Sequence, residues 1–400
     1  MQQSERARVF TPAFAIITAS ALAYFMSYGV LVPTLPRYVS DALNEGDGPV
    51  GVVSGAFAVT ALLLRPWIGD LGDRRGRGIL MVGGGVAAAL SVFGIMLVDS
   101  LIPLIGLRLI AGVGEAAFFV GAVTAITDIA PEERRGEAMS LFTVSLYSGL
   151  AFGPLIGETT LDRSGFDSVW ILSGALAMFT ALLGAFTRDA RPHFPAGAVR
   201  AQRRWLHPAG VRPGLVMLTS VFGFAGYATL LSLYATDDLG MSGARMVLLM
   251  YGLILVAIRL FGRKLPDLLG VERIGRIGLT CSAVGLLAMG SIRTVAGLYA
   301  GTVVFAVGQA FAFPAFITLA SSSAPPAERG AAVGTTTAFI DLGFAVGPIT
   351  LGWIAAATDR PTTFIVSSAV AWFGVALQMM MSRKDRRIAA AEALVDPANP

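Results

Sequence analysis

Apolar residues fill this chain in long unbroken runs, not in the three-and-four rhythm of an amphipathic soluble helix or the alternation of a half-buried strand. Twelve such runs lie near 13–36, 51–69, 79–98, 101–127, 138–160, 168–187, 213–236, 245–262, 274–292, 295–322, 331–357 and 361–382. Stretches such as Ile79 to Val98 and Phe364 to Met381 are apolar on all sides and long enough to cross about 30 Å of hydrocarbon. In lipid every backbone polar group needs an internal partner, which leaves helices or a closed barrel. A barrel would show segments of about ten residues with alternating polarity, and these runs do not. The pattern predicts an all-α integral membrane protein of twelve transmembrane helices. The first run follows only Arg6 and Arg8, is too long for a signal peptide and lacks a small-residue cleavage site, so it reads as a retained span.

The chain also contains itself twice. A constant offset of 194 residues carries Arg65 onto Arg259, Asp73 onto Asp267, Gly76 onto Gly270 and Gly114 onto Gly308. The same offset carries Arg135-Gly136 onto Arg329-Gly330, and Gly149, Gly153 and Pro154 onto Gly343, Gly347 and Pro348. The expected organisation is therefore two pseudo-symmetric six-helix bundles, residues 1–187 and 213–382, joined by a linker at 188–212 and followed by a tail at 383–400. Parallel halves in an apolar chain point to an alternating-access transporter. The linker holds Arg188, Arg191, Arg200, Arg203, Arg204 and Arg212 together with both histidines, His193 and His207, which read as solvated loop residues. The tail opens with Arg383, Lys384, Arg386 and Arg387, a cluster suited to anionic head groups, and no regular structure is expected beyond it.

Composition sharpens this picture. With 55% hydrophobic and 14% charged residues and a mean hydropathy of +0.70, the surface faces lipid. Arginine and lysine concentrate in the segments that include both termini, whereas the alternate loops carry Asp41, Glu45, Asp47, Glu158, Asp162, Asp167, Asp237 and Asp238. That asymmetry predicts an inner membrane protein with both termini cytoplasmic. It also accounts for the pI near 9.4 without a nucleic-acid partner, since no aromatic platform interleaves the basic residues. Cys281 is alone, so neither an intrachain disulfide nor a thiolate metal site is expected. No phosphate loop ending in Lys-Ser/Thr occurs, so ATP is not the expected energy source and coupling comes from an ion gradient or none, with no cofactor, no metal and no enzymatic site expected.

Gly69-Asp70-Leu71-Gly72-Asp73-Arg74-Arg75-Gly76-Arg77-Gly78 lies between spans two and three, where glycines permit a tight turn and the acid and arginines can form an ionic latch. It resembles the signature loop of the major facilitator superfamily, with departures at Gly72 and Gly78. The resemblance implies that Asp73 faces the start of span eleven and pairs with nearby arginines when a cytoplasmic gate is shut, with Gly69, Arg74 and Arg77 as further latch residues. Asp128 is a candidate partner for Arg74 or Arg77, and Asp267 is the acid kept in the degenerate second copy.

Span four carries Arg108 and Glu115 in a stretch, Arg108 to Ala117, that resembles the superfamily's fourth-helix motif, in which the arginine is tied to proton coupling. Seven residues bring the two side chains within about 20° of one face and about 10.5 Å apart along the axis, close in bearing without necessarily touching. Each would cost several kcal/mol if left unpaired in lipid, so both should face the interior. Glu115 fits a proton-titrating or cation-binding carboxylate, or a structural interhelical pair. Gly149, Gly153 and Pro154 in span five resemble the motif of the antiporter branches, with Glu158 in place of its last glycine. Span eleven repeats them as Gly343, Gly347 and Pro348, so shared ancestry of the halves explains the pattern equally well. Asp341 stands where the first half has Tyr147, and Glu115 where the second half has Gln309. Asp341 is either a second protonation site or a helix-packing acid.

Candidate cavity residues are Tyr24 and Tyr28 in span one, Phe222 and Tyr227 in span seven, and Gln309 and Phe313 in span ten, since these spans line the central pocket in the family this chain resembles. Aromatic walls with sparse hydroxyls suit amphipathic or cationic organic molecules and plain packing alike. The resemblance to the drug and sugar-efflux branch implies proton-coupled export of a small organic molecule by a monomer in the lipid bilayer. A proton symporter importing a nutrient, and a membrane sensor that no longer transports, are the other readings.

Overall fold

The computed structural model describes residues 10–131, 134–187, 206–262, 265–325 and 328–395, and within them every regular element is helical. In order these are α1 (Pro12–Arg37), α2 (Asp47–Arg75), α3 (Arg77–Ile95), α4 (Leu101–Ile129), α5 (Arg135–Ala185) and α6 (Pro208–Leu233). There follow α7 (Arg245–Phe261), the short α8 (Leu265–Leu269), α9 (Val271–Ser291), α10 (Val295–Ser322), α11 (Arg329–Ala357) and α12 (Arg360–Val395). Ten of them are long and apolar enough to cross a membrane. The 51-residue α5 makes two crossings, because Gly165 at φ 74° and ψ −178° breaks it into two arms. The 17-residue α7 adds the last. The fold is twelve transmembrane helices in two pseudo-symmetric bundles of six.

Three sequence expectations change. Helix α2 runs unbroken to Arg75, so Gly69 and Gly72 lie inside it, and the tight turn is Gly76 alone at φ 99°. Its repeat partner Gly270 takes φ 82°. Within the expected linker, α6 already begins at Pro208, and His207 is buried instead of solvated. Its ring nitrogen Nδ1 accepts from the Ala209 N–H, its backbone N–H donates to Thr335, and its Nε2 lies 2.7 Å from Glu328. A proline at the first helical position and a ring acceptor on the next free N–H together make a helix start. His193 and residues 188–205 lie outside the described residues. The tail, expected without regular structure, continues α12 as far as Val395.

Successive helices run alternately, which places the start of α1, the Gly76 turn and the start of α11 at one end, here called the near end. The α1–α2 and α11–α12 junctions form the far end. Small residues bring helices into backbone contact. A Cβ on Gly29 of α1 would stand 2.8 Å from the Gly149 carbonyl and 3.1 Å from Gly153 Cα, and Pro154 closes the same contact. Gly347 likewise sits against the Phe222 carbonyl of α6, and Gly343 against Val221. Lipid offers no hydrophobic drive between helices, so this close packing supplies the association. The repeated glycines thus seat α5 on α1 and α11 on α6 by one geometry.

Candidate functional site

The centre of the molecule holds an ionic cluster built from three helices. Arg65 of α2 donates through Nη2 to Asp341 Oδ1 of α11 at 2.7 Å, and its Nε lies 2.6 Å from Asp341 Oδ2 as an ionic contact. The same Nη2 reaches Glu115 Oε2 of α4 at 3.4 Å. The guanidinium rests over the Phe119 ring, 5.5 Å from its centroid. All three charged side chains are largely buried, with 15% of Arg65, 19% of Glu115 and 8% of Asp341 exposed. One cation therefore serves two carboxylates, and the stronger contact joins the two halves of the repeat. Sequence singles out Glu115 and Asp341, whereas it marks Arg65 only as a repeat match.

The repeat partner of this cluster keeps the arginine and lacks both acids. Arg259 of α7 stands where Arg65 does and meets Tyr147 of α5, the counterpart of Asp341. Its guanidinium lies 5.4 Å from the Tyr147 ring centroid, with Nη2 3.4 Å from the hydroxyl. Its buried Nε has no hydrogen-bond partner. Gln309, the counterpart of Glu115, turns away to Ser220 and Ser282, at 3.2 and 3.3 Å from its amide nitrogen.

Arg108 and Glu115 share a helix face without touching, as their spacing allows. Arg108, 4% exposed, donates to the Val53 carbonyl at 3.3 Å and lies over Phe57 at 5.1 Å. Two adjoining cavities of about 40 and 30 Å³ meet at Tyr28, Leu31, Phe57 and Arg108, and the smaller also touches Tyr24 and Glu115. They have room for water and not for a drug-sized molecule. Of the six cavity candidates, Tyr24 and Tyr28 line this space, and Tyr24 also stacks on Phe118 at 4.1 Å. The others do something else. Tyr227 packs with Phe305 and Tyr251 and reaches Thr302, Phe313 packs at the edge of a core around Phe316, and Phe222 packs beside Leu230 and Leu351.

At the near end Arg77 Nε pairs with Asp128 Oδ2 at 3.1 Å, one of the two partners expected, whereas Arg74 pairs with Asp70 one turn back at 2.8 Å. Both pairs stay within the first half. The side chains of Asp73 and Asp267 lie outside the described residues.

The far end is tied across the halves by groups that sequence reasoning does not join. Glu158, fully buried near the end of the first arm of α5, accepts from the Ala244 N–H at 2.9 Å and the Arg245 N–H at 2.8 Å, capping α7. Gly243 at φ 154° leaves space for this carboxylate, where a Cβ would collide with it. Arg245 also donates to Asp162 at 2.6 Å, and Arg360 bridges Asp47 at 3.1 Å with Asp237 and Asp238 at 2.9 Å. Beside them, hydrogen bonds from Thr362 hold the Asp359 carboxyl below the usual carboxylate range. The signal available in the sequence is Glu158 itself, an acid in a glycine's place.

A family model described as Major Facilitator Superfamily matches residues 17–348 and 214–395. The chain is 24% identical over 383 residues to an uncharacterized MFS-type transporter of Salmonella typhimurium, covering 92% of this chain and 96% of that one. It is 23% identical over 401 residues to Multidrug resistance protein 2 of Bacillus subtilis, covering 94% and 97%. Among solved structures, a bacterial homolog of the human lysosomal transporter Spinster in an inward-facing, unoccupied conformation superposes with a TM-score of 0.77 at 15% identity, over 95% of this chain and 98% of that one.

Proposed function

The chain belongs to the major facilitator superfamily, and from that premise we propose that it is a proton-coupled transporter exporting a small organic molecule by alternating access. The observation that carries this reading is the single guanidinium of Arg65 shared by Glu115 and Asp341 across the two halves. With both acids ionised, Arg65 is compensated and binds α2 to α11. A proton on Asp341 removes the charge that holds the crosslink, and the proton load and the separation of the halves change together. Buried acids facing a cation within a bilayer are costly to keep, and proton relays are built from such groups.

In this reading the near end is cytoplasmic, the protein is a monomer in the inner membrane, and the far-end ties of Glu158, Arg245 and Arg360 close the outer gate. Arg77 and Asp128 brace the first half beside the inner gate, next to Asp73. Tyr24, Tyr28 and Arg108 line the space into which the cargo enters as the cavity widens. Export is supported by the Bacillus relative's name, Multidrug resistance protein 2. The test is transport in proteoliposomes with an imposed pH gradient and a pH-sensitive dye. Substrate flux should move protons the opposite way and lose its dependence on the gradient in the Glu115→Gln, Asp341→Asn double variant. Gradient-driven flux that survives in the double variant would sink the reading.

A further inference from the structure

The two halves place an arginine at the same position and treat it differently. Arg65 is neutralised by acids from two helices. Arg259 meets only a tyrosine, at a 3.4 Å contact that is weak by length, and its buried Nε is unmatched. Nothing else in the neighbourhood repairs this among the described residues: Gln309, at the place of Glu115, is occupied by Ser220 and Ser282. Arg65 holds both Glu115 and Asp341, Glu158 is spent on the far-end backbone, and Arg259, in the last turn of α7, has no carboxylate partner among the described residues.

We infer that Arg259 is the seat for the anionic group of the cargo, a carboxylate or sulfonate on an aromatic or otherwise apolar body. A guanidinium offers a planar fork of donors that a carboxylate can satisfy in pairs, and the Nε edge free here is one tine of it. Tyr147 lies under the cation and packs against the cluster that contains Tyr251 and Leu255, while Phe224 stacks on Tyr251 at 5.7 Å. An apolar body extending from the anion would rest on these rings. This assignment rests on the transporter reading and divides its labour: the acid-bearing interface of α2 with α11 takes the proton, and its acid-free, cationic twin of α5 with α7 takes the cargo. Neither site needs the other's residues.

The test uses three probes of one shape, 2-naphthoate, 2-naphthamide and 2-naphthylmethylammonium, titrated calorimetrically into the purified full-length protein. Naphthoate should bind at least about tenfold more tightly than the amide, the scale of one charge-assisted hydrogen bond, and the ammonium should not bind. Arg259→Gln should erase the preference for the acid, and Arg259→Lys, which keeps the charge and loses the fork, should retain part of it. Monodispersity by size exclusion and an unchanged thermal transition separate loss of the seat from loss of fold. Equal affinity for acid and amide, a preference that persists in Arg259→Gln, or no naphthoate binding overturns the assignment. Proton movement measured with naphthoate in proteoliposomes tells this failure from the other: naphthoate flux without protons sinks the coupling reading and spares the seat, and proton-coupled flux of the ammonium alone does the reverse.

Discussion

Arg65→Gln should be the most damaging single substitution in the molecule. It strands two carboxylates, Glu115 and Asp341, in a site where both are largely buried. Removing one partner of a buried ion pair typically costs about 3 to 5 kcal/mol. Asp341→Asn should cost less, because Glu115 at 3.4 Å still compensates the cation. The double variant Arg65→Gln, Asp341→Asn should recover much of the lost thermal stability in detergent, since only one acid remains to be protonated, and it should recover no proton-coupled transport. Thermal unfolding of the four proteins forms a cycle whose coupling energy reads the pair directly. Additive losses would mean that the 2.6 Å contact between Arg65 and Asp341 carries no energy of its own.

Glu158 governs the second large effect. Its two oxygens satisfy two backbone N–H groups at the start of α7, in the opposite half of the repeat. Glu158→Ala leaves both donors without their acceptor at a cost of about 1 to 3 kcal/mol each, and water reaching them from the far end is the cheapest remedy. Glu158→Gln should behave almost as badly, because the amide has one acceptor and turns an NH₂ toward the second N–H. Labelling of a cysteine placed at Ala244, which is fully buried beside the Glu158 carboxylate, should be slow in the parent and speed up in both variants. An unchanged labelling rate would show that Arg360 with Asp47, Asp237 and Asp238 closes the far end without Glu158.

Much of the architecture is legible in the order of residues alone. Long apolar runs specify spans because lipid admits few other backbones, and the 194-residue offset specifies two like halves. Glu115, Asp341 and Arg108 stand out because charge within an apolar run demands a partner. Sequence does not supply that partner. Arg65 and Asp341 are 276 residues apart and meet only because the two halves pack α2 on α11. The repeat holds a clue in the paired substitution of Tyr147 for Asp341 and Gln309 for Glu115, since two positions that change together around a kept arginine mark one site. Local chemistry misleads in two places. A glycine-rich loop suggests a turn through Gly69 and Gly72 where helix continues to Arg75, and a proline-rich basic segment hides the capped helix start at His207. Two of the six aromatic and amide candidates line the cavity, because helical spacing alone does not distinguish a wall from a core.

If protonating Glu115 and Asp341 releases Arg65 and so unties α2 from α11, the near-end turns of those two helices must part as the pH falls. The decisive quantity is the distance between spin labels on these turns, read by pulsed electron resonance in nanodiscs across a pH series. The parent should move from a short to a long distance population on acidification, and the Glu115→Gln, Asp341→Asn double variant should sit in the long population at every pH. A double variant whose distances still follow pH as the parent's do would refute the proton-released crosslink.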